Sequence, residues 1–435
     1  MIYRIYMKRN FIEQNEYISH TTVFWSRVLS CALIVYIAYG LAIYWFKLTF
    51  VIPDGINYWQ FTEWLINYEG GFVRRGLLGE MLYWFCSHTG ISARYSISFI
   101  CLALYASLFY FFWKKFRERR LCWWFLASPL MFGYVDSVIR KDFLLLWLFV
   151  GILMLLKEEN PNIWRRLAAG ITIVFCLFMH EAFIFFGAPL VLLLLADGRH
   201  KLLFILITLS VISVFILMCL YNGSHDIVQD INTSWNMLFG TNELVYNSEN
   251  SIGALEWESI STFKRHFKRN IGYPYHCIGL FVRPIAMFFA YYIMINFLQA
   301  FRKENSAYTE TDKTNIGAVY LFLTACMIPM WTVLSCDNLR LYQYISICTI
   351  ASFLVLSQKR IVSIFPSFYL KFIKKLNNWI ELYIPISKGW MLIVFLFWFD
   401  GPSWYSLDIG FEYSIFGKLS VLVGTGLQYV YYWLS

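Results

Sequence analysis

The run Ser96-Ile97-Ser98-Phe99-Ile100-Cys101-Leu102-Ala103-Leu104-Tyr105-Ala106-Ser107-Leu108-Phe109-Tyr110-Phe111-Phe112-Trp113 passes straight into Lys114-Lys115-Phe116-Arg117-Glu118-Arg119-Arg120. An uncharged segment of this kind approaches the roughly 20 residues that cross a bilayer as a helix. The basic cluster at its end marks the cytoplasmic side, because Lys and Arg are retained there during insertion. Everything else in the chain can be oriented from that junction.

Composition agrees with a membrane class. The chain has 435 residues, 59% of them hydrophobic and 14% charged, and its mean hydropathy is +0.55. Soluble domains carry nearly twice that share of charge. The net charge of +9 is spread as short clusters between apolar runs, so no nucleic-acid surface is implied. The ten cysteines form no C-x-x-C pair, and Cys31, Cys101, Cys176, Cys219 and Cys348 lie inside apolar runs, as small hydrophobes do. Lys8, Arg9 and Arg27 precede a long apolar run without a small-residue cleavage site, which reads as an uncleaved signal-anchor.

Spans are expected at about Val28–Phe46, Ser96–Trp113, Leu121–Tyr134, Phe143–Leu156, Leu167–Met179, Ala182–Leu195, Leu202–Tyr221, Ile278–Leu298, Ile316–Leu334, Leu341–Leu356, Trp390–Phe399 and Leu419–Leu434. Several are short enough to be tilted or broken. The segment Tyr58–Phe85 is mixed in polarity and reads as interfacial. The expected fold is therefore all-α: one polytopic membrane domain, residues 1–435, of about 11–12 helices with both termini cytoplasmic. Residues 1–27 and the basic stretch 357–388 would lie inside, and 222–276 would form one sizeable outer loop.

Against that orientation several cations stand on the wrong side. Arg74 and Arg75 lie in Tyr68-Glu69-Gly70-Gly71-Phe72-Val73-Arg74-Arg75-Gly76-Leu77-Leu78-Gly79-Glu80. Arg140-Lys141-Asp142, Lys264–Arg269, Arg283 and Arg340 share their face. A cation at membrane depth costs roughly 2.5–3.5 kcal/mol on insertion scales, so each needs an acidic partner or an anionic ligand. Glycines beside the arginines would let backbone N–H groups approach the same anion. Pairing of Arg74 or Arg75 with Glu69 or Glu80 is the bland alternative. For Lys264–Arg269 it is an amphipathic helix on anionic headgroups. His180-Glu181, inside an apolar stretch, reads either as a polar pair satisfied by neighbouring helices or as a general base and sugar contact. Asp54, Glu63, Glu69, Asp136, Asp142 and Asp337 are the acidic residues at the same level. There is no H-E-x-x-H motif and no glycine-rich nucleotide loop, which leaves a lipid-borne donor, with no cofactor and no metal.

The order Asp136-Ser137-Val138-Ile139-Arg140-Lys141-Asp142-Phe143-Leu144-Leu145-Leu146, then Phe178-Met179-His180-Glu181-Ala182-Phe183, then Arg340-Leu341-Tyr342-Gln343-Tyr344 resembles the EpsG-like and Wzy-type polytopic proteins of bacterial exopolysaccharide and O-antigen synthesis. The resemblance covers Asp136–Leu195 and Asp337–Tyr344. It implies a polysaccharide polymerase of the bacterial inner membrane that joins oligosaccharide repeats carried on undecaprenyl diphosphate. Its partners would be that lipid-linked oligosaccharide, membrane lipids and a chain-length regulator protein. Arg74, Arg75, Arg140, Arg283 and Arg340 would clamp diphosphates, with Glu69 and Tyr344 beside them. His180, Glu181 or Asp54 would take the acceptor's proton, and Trp59, Trp64 and Tyr68 would stack on sugars. The nearest rival is a GT-C-like transferase using a lipid monophosphate, resting on Asp54 or Glu63. A transporter of lipid-linked glycans would show inverted repeats, which are not seen. A non-catalytic scaffold would have little use for the misplaced arginines.

Overall fold

A computed structural model describes residues 24–42, 45, 59–133, 140–196, 198–240, 244–257, 261–265, 267, 274–301, 308–334, 338–397, 414–416, 419–420 and 423–424. Among these residues the regular structure is helical, with no strand. The helices are α1 (Phe24–Ala42), α2 (Trp59–Leu65), α3 (Gly76–Thr89), α4 (Ala93–Glu118), α5 (Asp142–Leu155), α6 (Ile163–Met179), α7 (Phe183–Phe186), α8 (Ala188–Leu195) and α9 (Lys201–Leu220). They continue as α10 (His225–Phe239), α11 (Pro274–Ala300), α12 (Glu310–Cys326), α13 (Asn338–Val355), α14 (Gln358–Ile364), α15 (Ser367–Tyr383) and α16 (Lys388–Phe397).

Among the described residues α1, α4 and α9 are long and apolar enough to cross a membrane, and a fourth span results if the bent pair α15–α16 is counted as one. The expected number was larger, and the difference lies in how the apolar runs are broken. Leu121–Tyr134 is not a span: Trp123–Ala127 forms a 3-10 helix and the chain then turns at Ser128–Gly133. Pro129 lacks the N–H a continuing helix needs. Tyr36 and Tyr105 anchor the turn by donating to the Gly133 and Phe132 carbonyls, each at 2.5 Å. The break at His180 falls where the spans Leu167–Met179 and Ala182–Leu195 were expected to divide, and a further one at Gly187 splits the second into α7 and α8.

The centre of the bundle is α13, buried over nearly its whole described length, with a stripe of Gln343, Ser346, Thr349 and Ser352 among its apolar residues. A helix buried all round belongs to the interior of a larger packing, not to its surface. It packs against α5 and α12, and Gln343 ties it to the Ser128–Gly133 turn by donating to the Met131 carbonyl at 2.6 Å.

The helix ends collect at two poles. At one, Arg119 donates to the Leu354 carbonyl (3.2 Å), and Arg360 donates to those of Leu194 (2.8 Å) and Glu159 (3.4 Å). Gln358 donates to Asp312 there at 2.7 Å, and Lys313 pairs with Glu381. This is the basic pole, bringing together the ends of α4, α5 and α8 and the starts of α6, α12 and α14. The opposite pole holds the start of α5, the break after α6 and the start of α13.

The Asn222–His276 stretch was expected as a polar loop; its described part folds and closes over α2. Trp235 of α10 is fully buried and donates to the Leu65 carbonyl at 2.6 Å. Asn67 donates to Ser234 at 3.0 Å, and Ser251 donates from its backbone to Thr62 (3.1 Å) and from its hydroxyl to the Trp59 carbonyl (2.7 Å). The glycines beside the arginines serve this packing. A Cβ on Gly79 would stand 1.9 Å from the Ile66 carbonyl oxygen, so only glycine lets α3 lie against the α2 exit. Gly71 takes φ +118° in the tight turn closed by its N–H to Tyr68 O at 2.9 Å. Gly79 and Gly71 thus have a packing and a turn role of their own.

Candidate functional site

Five segments far apart in sequence converge at the pole opposite the basic one. Helix α6 ends at Met179, and His180 takes extended backbone (φ −163°, ψ 118°), which swings His180 and Glu181 out of the helix. Arg75 caps the start of α3 in the left-handed region at φ 66°, a conformation side chains other than glycine adopt at some cost. That turn delivers its guanidinium to Glu181. Nε donates to Oε2 at 2.8 Å and to Oε1 at 3.0 Å, and Nη2 donates to Oε1 as well. A two-toothed contact of this kind fixes both partners in one plane. Of the two pairings weighed for Arg75, with Glu69 or Glu80, neither forms. Glu80 accepts instead from the Tyr68 N–H at 2.8 Å, and Glu69 is exposed. Arg74 donates to the Ala254 carbonyl at 2.9 Å, tying the folded loop to the same turn.

Next to this pair is a second one. His180 Nδ1 accepts the Ala182 N–H at 3.1 Å, which places the ring proton of the neutral form on Nε2. Nε2 lies 3.1 Å from Oε1 of Glu63, and Nδ1 is 3.6 Å from Glu181 Oε2. Glu63 itself is 1% exposed on α2, and its Oε2 has no aligned hydrogen-bond donor. Burial pushes its carboxyl up, but contact with His180 and the charges of Arg75 and Arg140 outweigh burial and hold it below the usual carboxylate range.

A third strand of contacts comes from α5 and α13. Lys141, fully buried, donates from Nζ to the Arg75 carbonyl at 3.0 Å, and burial lowers its ammonium to about 8 against the attraction of Glu63. Asp142 opens α5, where a carboxylate suits the helix dipole. Its Oδ2 stands 3.7 Å from Arg340 Nη1. Arg340 lies over the Tyr344 ring at 5.8 Å, and that ring stacks on Phe186 of α7 at 4.5 Å.

The cluster thus unites Arg75, Glu181, His180, Arg340 and Tyr344 from the sequence reading, with Arg74 at its edge and Arg140 half-buried beside Lys141. Glu69 faces outward. Asp54, and the side chain of Arg283, lie outside the described residues. Lys141 and Asp142 carry no role in the sequence reading, and Glu63 carries one only in the rival reading. Lys141 was hidden between two more conspicuous charges. Glu63 had been set aside for the rival reading, although a lone carboxylate between Thr62 and Trp64 was a visible signal. Among the described residues no three His, Cys, Asp or Glu side chains are placed to hold a metal ion. Chemically, the cluster offers an ionised, incompletely bonded carboxylate, a histidine that orients it, and fixed cations within the same small volume. No family model matches the chain, and neither a curated protein nor a solved structure is similar to it.

Proposed function

We propose that this cluster is the active site of a membrane glycosyltransferase, a polymerase of bacterial surface polysaccharide that joins undecaprenyl-diphosphate-linked repeats on the outer face of the inner membrane. The basic pole would then face the cytoplasm, and the apolar helices too short to count individually would complete about 11–12 crossings by pairing end to end and by local thinning of the bilayer. The observation that carries the reading is Glu63, a buried carboxylate among cations with His180 Nε2 3.1 Å from one oxygen and no aligned donor on the other. Ionisable groups at such depth are costly and are kept for function.

In this reading Glu63, not His180, is the base. Both ring nitrogens of His180 are engaged, whereas Glu63 keeps open lone pairs. The acceptor sugar's hydroxyl oxygen bonds to the anomeric carbon of the donor repeat, its proton passes to Glu63, and the bond to the lipid diphosphate breaks. The diphosphate leaves with its added negative charge, which Arg75, through the guanidinium edge turned away from Glu181, and Lys141 would stabilise. Glu181 holds Arg75 in place.

The position of Glu63 also favours the second reading, a GT-C-like transferase of single sugars from a lipid monophosphate, since that mechanism rests on an acidic residue in this segment. A cell carrying Glu63→Gln at wild-type protein level separates the two. Polymerase action predicts single repeats capped on the surface lipid with no long chains. Single-sugar transfer predicts long chains lacking one branch sugar. Unchanged polysaccharide would remove Glu63, and with it the proposed site.

A further inference from the structure

At the basic pole, α15 has three faces at helical spacing. Ile373, Asn377 and Ile380 are buried against α11 and α12. Tyr291 donates to Asn377 at 2.7 Å, Tyr369 donates to the Ala318 carbonyl at 2.9 Å, and Glu381 pairs with Lys313. A second face is aromatic and open: Phe368 is 73% exposed, Phe372 56% and Trp379 52%, with Tyr383 beside them. The third carries Lys371, Lys374, Lys375 and Asn378, all exposed. The chain then bends by 103° into α16, so α15 and α16 do not form one straight crossing.

We infer that α15 lies along the membrane surface at the basic pole and binds anionic phospholipid, its aromatic face in the headgroup–acyl boundary and its lysines on the phosphates. Three features select a lipid surface over other occupants. The exposed apolar side chains are mostly aromatic, the type that settles at a bilayer interface. The lysines flank that face on one side only, as they would where headgroups lie above and acyl chains below. The buried stripe is already filled by α11 and α12, so the other two faces are presented together at a fixed depth. The stretch 357–388, expected as a basic cytoplasmic segment, is thereby a structured anchor.

The test uses the full-length protein in phosphatidylcholine vesicles doped with a photoactivatable phosphatidylglycerol, and in parallel with the matching phosphatidylcholine probe. Adducts are located by mass spectrometry. Phe368, Phe372, Trp379 and Tyr383 should be labelled, and Ile373 and Ile380 should not. A lysine near an anionic surface contributes about fivefold in partitioning. The triple variant Lys371→Gln/Lys374→Gln/Lys375→Gln should therefore lose at least that much of the preference for the anionic probe on α15. Labelling of the exposed Ile216 on α9, about four turns from that helix's own Lys201, should stay unchanged and reports an intact fold. Equal labelling of α15 by both probes in the wild type, no labelling of α15, or α15 cross-linked to a second copy of the chain would each overturn the inference.

Discussion

Arg75 and Glu181 show how a single side chain can be misjudged from its neighbours in sequence. Its partner is more than a hundred positions away, and no spacing rule connects them. Each partner is nearly a fifth exposed, so breaking the pair is expected to cost less than the about 3–5 kcal/mol of a fully buried one. Arg75→Ala and Glu181→Ala are each expected to lower the unfolding midpoint sharply, and the double variant to lose much less than the sum, read as a coupling energy in a thermal double-mutant cycle. Lys141 gives a pH signature. Its folded value of about 8 lies below the ordinary 10.5, so the fold disfavours its charged form. Stability from this group is therefore lower below about 8 and rises as pH climbs from there towards 10.5. Comparing melting curves of wild type and Lys141→Met across that window checks the sign. The wild type should gain relative to the variant as pH rises, and parallel curves would contradict it.

At the scale of elements, the apolar runs announced helices, and the basic clusters announced which ends belong together. Lys114–Arg120, Lys313 and Arg360 all meet at one pole, as their spacing between runs implied. What the sequence concealed was interruption. Ser128–Gly133 and Gly187 sit within apolar surroundings, so hydropathy alone passes over them, whereas the polar pair His180-Glu181 already separated two expected spans. The segment after α9 was concealed for another reason. Its polar composition resembles a loop, yet the amphipathic α10 has a buried stripe of Val228, Ile231 and Trp235 that covers α2. Gly79 is where α2 and α3 meet most tightly. Gly79→Ala forces backbone apart, and overpacking of this kind costs about 1–3 kcal/mol. It should lower thermal stability and, by moving α2, also lower any activity that depends on Glu63. A stable Gly79→Ala protein would contradict the described approach of the two helices.

For the whole molecule, the division into a basic pole and a pole of buried, mutually paired charges is the main result. The sequence pointed to the second pole through misplaced arginines, and five of its proposed site residues do gather there. Their chemistry was less legible. Several of those cations are tied to carboxylates or carbonyls of the chain itself, and Glu63 Oε2 is among the buried polar atoms of the cluster that have no aligned hydrogen bond. Purified protein supplied with an undecaprenyl-diphosphate-linked repeat provides the most direct measurement: release of undecaprenyl diphosphate by wild type and by Glu63→Gln, with thermal unfolding run alongside. The account predicts release coupled to chain growth in the wild type, and loss of at least a hundredfold in rate, on the order of general-base catalysis, in a variant that melts cooperatively. A folded Glu63→Gln protein that releases the lipid diphosphate at the wild-type rate would contradict it.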